Sequence, residues 1–182
     1  MKEYRLFGGM VDEKGKNMFI LAFLFVFVGI ALVGFLTPVQ AGVLGLIQNL
    51  MKWGGIALVF AYLGIVAVVT LFSAKTIDVK SIVAVVIMAT LSIIGAYFSL
   101  QTVRAFNAPK EIVVSSEYKV KDNVVRRSFL DVRRLTVTKE DGSTVTIEIT
   151  RDMYNELKQD KRTIKVTYYP YVNIVDTIEY ID

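Results

Sequence analysis

Apolar and polar positions follow two unlike patterns along this chain. Residues 17 to 51, 53 to 74 and 81 to 103 carry no charged side chain, and apolar residues there lie all round the helical wheel with no polar face. A bilayer core takes roughly 20 apolar residues of helix, and the chain supplies that length three times. The pattern predicts membrane helices over about 18–36, 54–73 and 81–100. From Glu111 onward the period becomes two, as in half-buried strands. In Thr144 to Thr150, for example, Val145, Ile147 and Ile149 face one way and Thr146, Glu148 and Thr150 the other. The chain therefore divides into a tail at 1–17, a transmembrane domain at 18–103 and a β domain at 109–182.

Thr37 and Pro38 end the first span. Val39-Gln40-Ala41 beyond them has the small residues of a signal-peptidase site, but the apolar stretch exceeds the length of a signal peptide's core, which favours an uncleaved anchor. In residues 41–51, Val43, Leu44, Ile47, Leu50 and Met51 recur at helical spacing beside a polar edge of Gln40, Gln48 and Asn49. That run is too short to span, so an interfacial or re-entrant helix is expected, with one long helix from near Gly42 as the alternative. Lys52 and Trp53 then mark a water–lipid boundary.

In the tail domain, strands are expected over Ile112–Val120 and from Val124, flanking a turn at Lys121-Asp122-Asn123. Asp141-Gly142 predicts a tight hairpin joining Leu135–Thr138 to Thr144–Thr150. The apolar phase slips between Val132 and Leu135, which predicts a bulge or bend. Residues 150–158 read as a short helix capped by Thr150 or Asp152, with Met153 and Leu157 facing the sheet. Strands over 163–169 and 173–180 follow. This order of three strands, a helix and two strands is that of an OB-type barrel, with an SH3-like barrel or open sheet as alternatives. The expected fold class is an α-helical membrane domain of three transmembrane helices followed by a small, mainly-β, OB-like barrel.

Charge adds orientation. The last 74 residues hold 13 basic and 13 acidic side chains, so the whole formal excess of +4 lies beside the hydrophobic spans. The alkaline isoelectric point of about 9.2 is accordingly read as a topology signal, and nucleic acid is a disfavoured partner. With the amino terminus inside, six basic residues (Lys2, Arg5, Lys14, Lys16, Lys75, Lys80) lie on the cytoplasmic side, against Lys52, Arg104 and Lys110 outside. That balance predicts a multi-pass protein of the cell membrane with its β domain extracytoplasmic.

Chemistry is sparse. With neither cysteine nor histidine, the chain has no thiol nucleophile, no thiolate metal site and no histidine base, and no cofactor is implied. Glu117, Asp131, Glu148 and Asp152 fall on separate predicted elements with no motif joining them, so no enzyme is expected. The charge-free spans disfavour a channel or transporter, which as an oligomeric subunit is the alternative reading. Two candidate surfaces remain. Arg126, Arg127, Arg133 and Arg134 could bind carboxylate or phosphate groups through paired hydrogen bonds, or could be solvated strand residues paired with acids such as Asp131. Ser92, Gly95, Ala96 and Ser99 have the spacing that lets helices approach closely in lipid, within one subunit or between copies.

The run Tyr154-Asn155-Glu156-Leu157-Lys158, a polar turn, then Ile164-Lys165-Val166-Thr167-Tyr168-Tyr169-Pro170 and a closing strand ending Ile178-Glu179 resembles, over about 50 residues, the tail module of bacterial multi-pass membrane proteins of uncharacterised function. That resemblance implies no catalytic residues. The NfeD-like group also places an OB-like barrel after membrane spans; this chain departs from its glycine-rich barrel, having only Gly142 after Gly95. The expected role is a scaffold or accessory protein whose partners are membrane lipids and a protein or a second copy of the chain.

Overall fold

The computed structural model describes residues 4–6, 9–11, 13–73, 79–123, 132–160 and 162–181. Within 1–17, expected as a tail, β1 (Tyr4–Leu6) and β2 (Gly9–Val11) form an antiparallel pair, and α1 (Glu13–Leu36) begins earlier than the charge-free run. α2 (Gly42–Ser73) and α3 (Val79–Asn107) are the two long apolar helices, each long and apolar enough to cross a membrane. Residues 41–51 do not form a separate interfacial or re-entrant helix. From Gly42 they are the first turns of α2, continuous through Lys52, because nothing between Gly42 and Trp53 breaks a helix; Leu46 is buried against Tyr169 and Ile174, while Val43, Leu44 and Ile47 stay exposed.

Large side chains on the helices point outward. Phe72 is 88% exposed, Phe25 75% and Ile93 69%. Where helices touch, small residues carry the contact. A Cβ on Gly95 of α3 would come within 2.8 Å of Ala57 N and 2.9 Å of Trp53 O in α2, so only glycine permits that approach. Gly55 of α2 lies against the backbone of Ala31 in α1 in the same way.

The carboxy-terminal domain is a six-stranded mixed sheet with β3 (Glu111–Ser115), β4 (Tyr118–Asn123), β5 (Val132–Thr138), β6 (Thr144–Ile149), β7 (Thr163–Tyr169) and β8 (Ile174–Ile181), and α4 (Arg151–Gln159) between β6 and β7. Its order is β3-β7-β8-β6-β5-β4, with β6 and β8 parallel and all other neighbours antiparallel. Leu135, Val137, Ile147, Ile149, Ile164, Val166 and Val175 form its buried centre, closed at one side by Leu157 of α4. Thr150 caps α4 by accepting a hydrogen bond from Met153 N.

Three local expectations need correction. Ile112–Val120 is two strands, because Ser115 Oγ donates to Glu117 O and accepts from Glu117 N, turning the chain there. Lys121-Asp122-Asn123 is not a turn; these residues end β4 and pair with Arg134, Arg133 and Val132. No bulge interrupts β5, which pairs in continuous register with both neighbours. The apolar phase slips because Arg133 occupies an inward position beside Leu135 and Val137. There its side chain is 12% exposed, its Nε is 3.7 Å from Asp122 Oδ1, and its guanidinium lies 5.8 Å from the centre of the Tyr154 ring. The irregularity is instead in β8, where Asp176 is skipped between the Tyr168–Val175 and Thr167–Thr177 pairs. The Asp141-Gly142 hairpin is present, with Gly142 at φ +81°, a conformation open to glycine.

Candidate interaction site at the junction of helices and sheet

The sheet is joined to the helices by one end of the β7–β8 hairpin. Alternation fails there on both strands: adjacent Tyr168 and Tyr169 are both buried, as are adjacent Ile174 and Val175. Tyr168 and Val175 enter the sheet core, while Tyr169 and Ile174 pack with Leu46 of α2 and Ala105 of α3. The turn between the strands places Tyr171 (φ +70°) and Asn173 (φ +52°) in the left-handed region. Asn173 N donates to Tyr169 O (3.0 Å), and Asn173 O accepts from Glu148 N (2.8 Å), which locks the turn to β6. Of the tyrosines around Pro170, only Tyr171 is exposed.

Bulging β8 turns Asp176 toward the helices. Its Oδ2 accepts from Lys110 Nζ (2.7 Å) and its Oδ1 from the Tyr169 hydroxyl (3.1 Å), while a Cβ on Gly42 would stand 3.4 Å from Oδ1. The carboxylate thus lies at the amino-terminal end of α2, where the helix dipole favours negative charge. Asp176 in turn holds the Lys110 ammonium above the usual lysine range.

The polar edge of 41–51 is spent inside the molecule. Gln48 Nε2 donates to Thr37 O (2.7 Å) and Thr37 Oγ1 (2.9 Å), and Gln48 Oε1 accepts from Gln40 N (3.1 Å). One side chain therefore satisfies the end of α1 and the α1–α2 loop. Asn49 Nδ2 donates to Thr102 Oγ1 (2.8 Å), and the Thr102 hydroxyl, fully buried in α3, donates in turn to Phe98 O (2.9 Å).

Between this clip and the sheet lies a cleft of about 370 Å³. The α1–α2 loop forms one wall, α2 the floor, and the start of β5, the end of β6 and the first residue of α4 the other wall. Lys52, Arg133 and Arg151 bring positive charge to it, and Glu148 is its one carboxylate among the described residues. Lys52 Nζ sits 5.0 Å from the Phe35 ring centre and 5.5 Å from that of Trp53, and Trp53 stacks on Phe98 at 4.5 Å. Aromatic side chains at this level suit a water–lipid boundary.

The arginines singled out in the sequence do not form a single strip among the described residues. Arg133 points inward and Arg134 outward, as neighbours on an uninterrupted strand must; Arg126 and Arg127 lie outside the described residues. Ser92 donates to Ala57 O (3.1 Å), Gly95 packs on α2, and Ser99 donates to Gly95 O within its own helix, whereas Ala96 is exposed. Glu117 and Asp152 are exposed, Glu148 lines the cleft and Asp131 lies outside the described residues. Among the described residues no three acidic side chains gather as metal ligands. The sequence offers Tyr168-Tyr169-Pro170-Tyr171 as an exposed patch or as tyrosines packed at a strand end; Tyr168 and Tyr169 are packed and Tyr171 is exposed, while the contact of Ile174 with α2 and α3 had no counterpart in the sequence reading. Compared with protein-family models, curated proteins and solved structures, the chain matches none of them.

Proposed function

We propose that this protein is an integral membrane scaffold or accessory protein that crosses the bilayer three times and holds a small OB-like barrel at the membrane surface to bind another protein, a lipid head group or an envelope polymer. The observation that carries this reading is the outward display of large apolar side chains along α1, α2 and α3, joined to a sheet on which, among the described strands, only Ile112, Val114 and Ile181 are large apolar residues left exposed. At 32 and 29 residues α2 and α3 are ~48 and ~44 Å long, and the charge-free part of α1, 17–36, is ~30 Å, about the thickness of a bilayer core.

The strand order supports the barrel. If β3 and β4 are halves of one bent first strand, β4 pairs with the second strand and β3 with the fourth, while the third and fifth run parallel, as in an OB barrel. Since α1 ends, α2 begins and α3 ends on the barrel side, three crossings leave the amino terminus across the membrane from the barrel, and the six basic residues on the amino-terminal side against three on the other favour a cytoplasmic amino terminus and an extracytoplasmic barrel.

Because the chain has no cysteine, Thr146→Cys on the outer face of β6 provides a unique label. A membrane-impermeant maleimide should modify it in intact cells, and alkaline carbonate should leave the chain in the membrane pellet. Labelling only after lysis would overturn the orientation; release by carbonate would overturn the membrane reading. A photo-crosslinker at Thr146 should yield a discrete adduct with a partner that saturates, and its absence at Thr146, Lys165 and Tyr171 alike would remove the scaffold role.

A further inference from the structure

We infer that the junction cleft is a phosphate-binding site, filled by the phosphodiester of a membrane phospholipid or by free phosphate; the lipid source rests on the membrane reading above. Lys52, Arg133 and Arg151 line it, Arg133 being already paired with Asp122, and Glu148 is the one carboxylate of its lining among the described residues. Among the described residues, neither Lys52 nor Arg151 has a carboxylate within ion-pair distance. A lysine and an arginine that line one cavity and have no acidic partner among the described residues match a phosphate, which takes a point charge from the one and paired hydrogen bonds from the other.

Position narrows the source. Lys52 is the last charge before the apolar run 53–74; it lines the cleft, and its ammonium sits against the Phe35 and Trp53 rings. A lysine so placed lies at the depth of lipid head groups, and basic pockets beside membrane helices attract anionic lipid. The cleft volume of about 370 Å³ is room for a phosphate and a small alcohol such as glycerol. Because Gln48 is committed to the end of α1 and Asn49 to Thr102, the walls are held in place before any ligand enters.

The test is native mass spectrometry of the full-length protein in detergent, offered dioleoyl phosphatidylglycerol or dioleoylglycerol, which has the same chains and no phosphate. The phosphate lipid should remain bound at collision energies that strip the diacylglycerol. Lys52→Gln with Arg151→Gln should lower its retention at least about tenfold, as expected for losing charge-assisted hydrogen bonds. Glu148→Gln, which deletes the opposing charge, should hold or raise it. Equal retention of the two lipids, wild-type retention by the double variant or a fall in Glu148→Gln would each overturn the site. Displacement of phosphatidylglycerol by millimolar inorganic phosphate assigns the cleft to free phosphate, and failure to displace assigns it to lipid. Carbonate extraction of the same variants separates this result from the membrane reading: a chain that stays in the pellet but holds no phosphate lipid defeats the site alone.

Discussion

Where α2 meets α3, the contact is made by Gly95, Ser92 and the backbone of Ala57, and phenylalanines and isoleucines face outward; where β5, β6 and β7 meet, Leu135, Ile147 and Ile164 fill the interior, and Thr136, Thr146 and Lys165 face outward. The two halves of one chain are sorted in opposite senses. In lipid, an apolar side chain gains nothing by leaving its surroundings, so close approach and hydrogen bonds hold helices together. In water, burial itself is the driving force. On the proposed membrane reading, the direction in which large side chains point reports the solvent of each half.

The strongest way to break this contrast is to truncate one large side chain in each half. Leu135→Ala should cost about 2–5 kcal/mol, read as a lower denaturant midpoint for proteolysis of the β domain. Phe72→Ala should change stability by less than about 0.5 kcal/mol, and equal losses would erase the distinction. Next in size, Gly95→Leu should cost about 1–3 kcal/mol through overpacking, seen in detergent melting and as loss of an engineered α2–α3 disulfide. Ala96→Leu, on the exposed side of the same helix, should leave both unchanged.

Thr102→Val tests the polar bond between helices and should cost about 1 kcal/mol by stranding the Asn49 amide. Its readout is the same melting curve, with Asn49→Leu added to restore part of the loss. The smallest effect belongs to the sheet surface. The Tyr168 hydroxyl donates to Glu111, with Lys139 adding its charge, and together they hold the Glu111 carboxyl below the usual carboxylate range. A lowered value in the folded state stabilises above the unfolded glutamate pKa of about 4.3 and is lost as pH falls through the folded value. Tyr168→Phe should therefore flatten the acid side of the stability profile below about pH 4.3, and an unchanged slope would refute the coupling.

The helical half was legible because a bilayer imposes a length and forbids charge, and α2 and α3 cover the runs 54–73 and 81–100. What the sequence hid were places where one side chain decides the backbone. Ser115 splits a strand by bonding to Glu117, and Arg133 imitates a bulge by taking an inward position with Asp122 and Tyr154 as company. Period-two reading treats a charged residue as outward, so it misplaced both the arginine and the bend. Gln48 and Asn49 looked like a solvent-facing edge, since their partners Thr37 and Thr102 lie 11 and 53 residues away. The cleft was hidden for the same reason, its Lys52 and Arg151 being joined only by docking of the β7–β8 hairpin on α2 and α3.

α2 is ~48 Å long, and the segment from Gly42 to Lys52 that meets the hairpin is its portion beyond a bilayer core of about 30 Å. That surplus acts as a ruler. On the proposed membrane reading it sets, together with α3, the height at which the sheet stands over the lipid, and Gln48 braces it against the end of α1. Adding one turn to both α2 and α3 would raise the sheet by ~5 Å and draw the cleft away from the head groups. A shorter rod would press it into them. The reach of whatever the sheet engages is therefore written in residue number along α2 and α3 together.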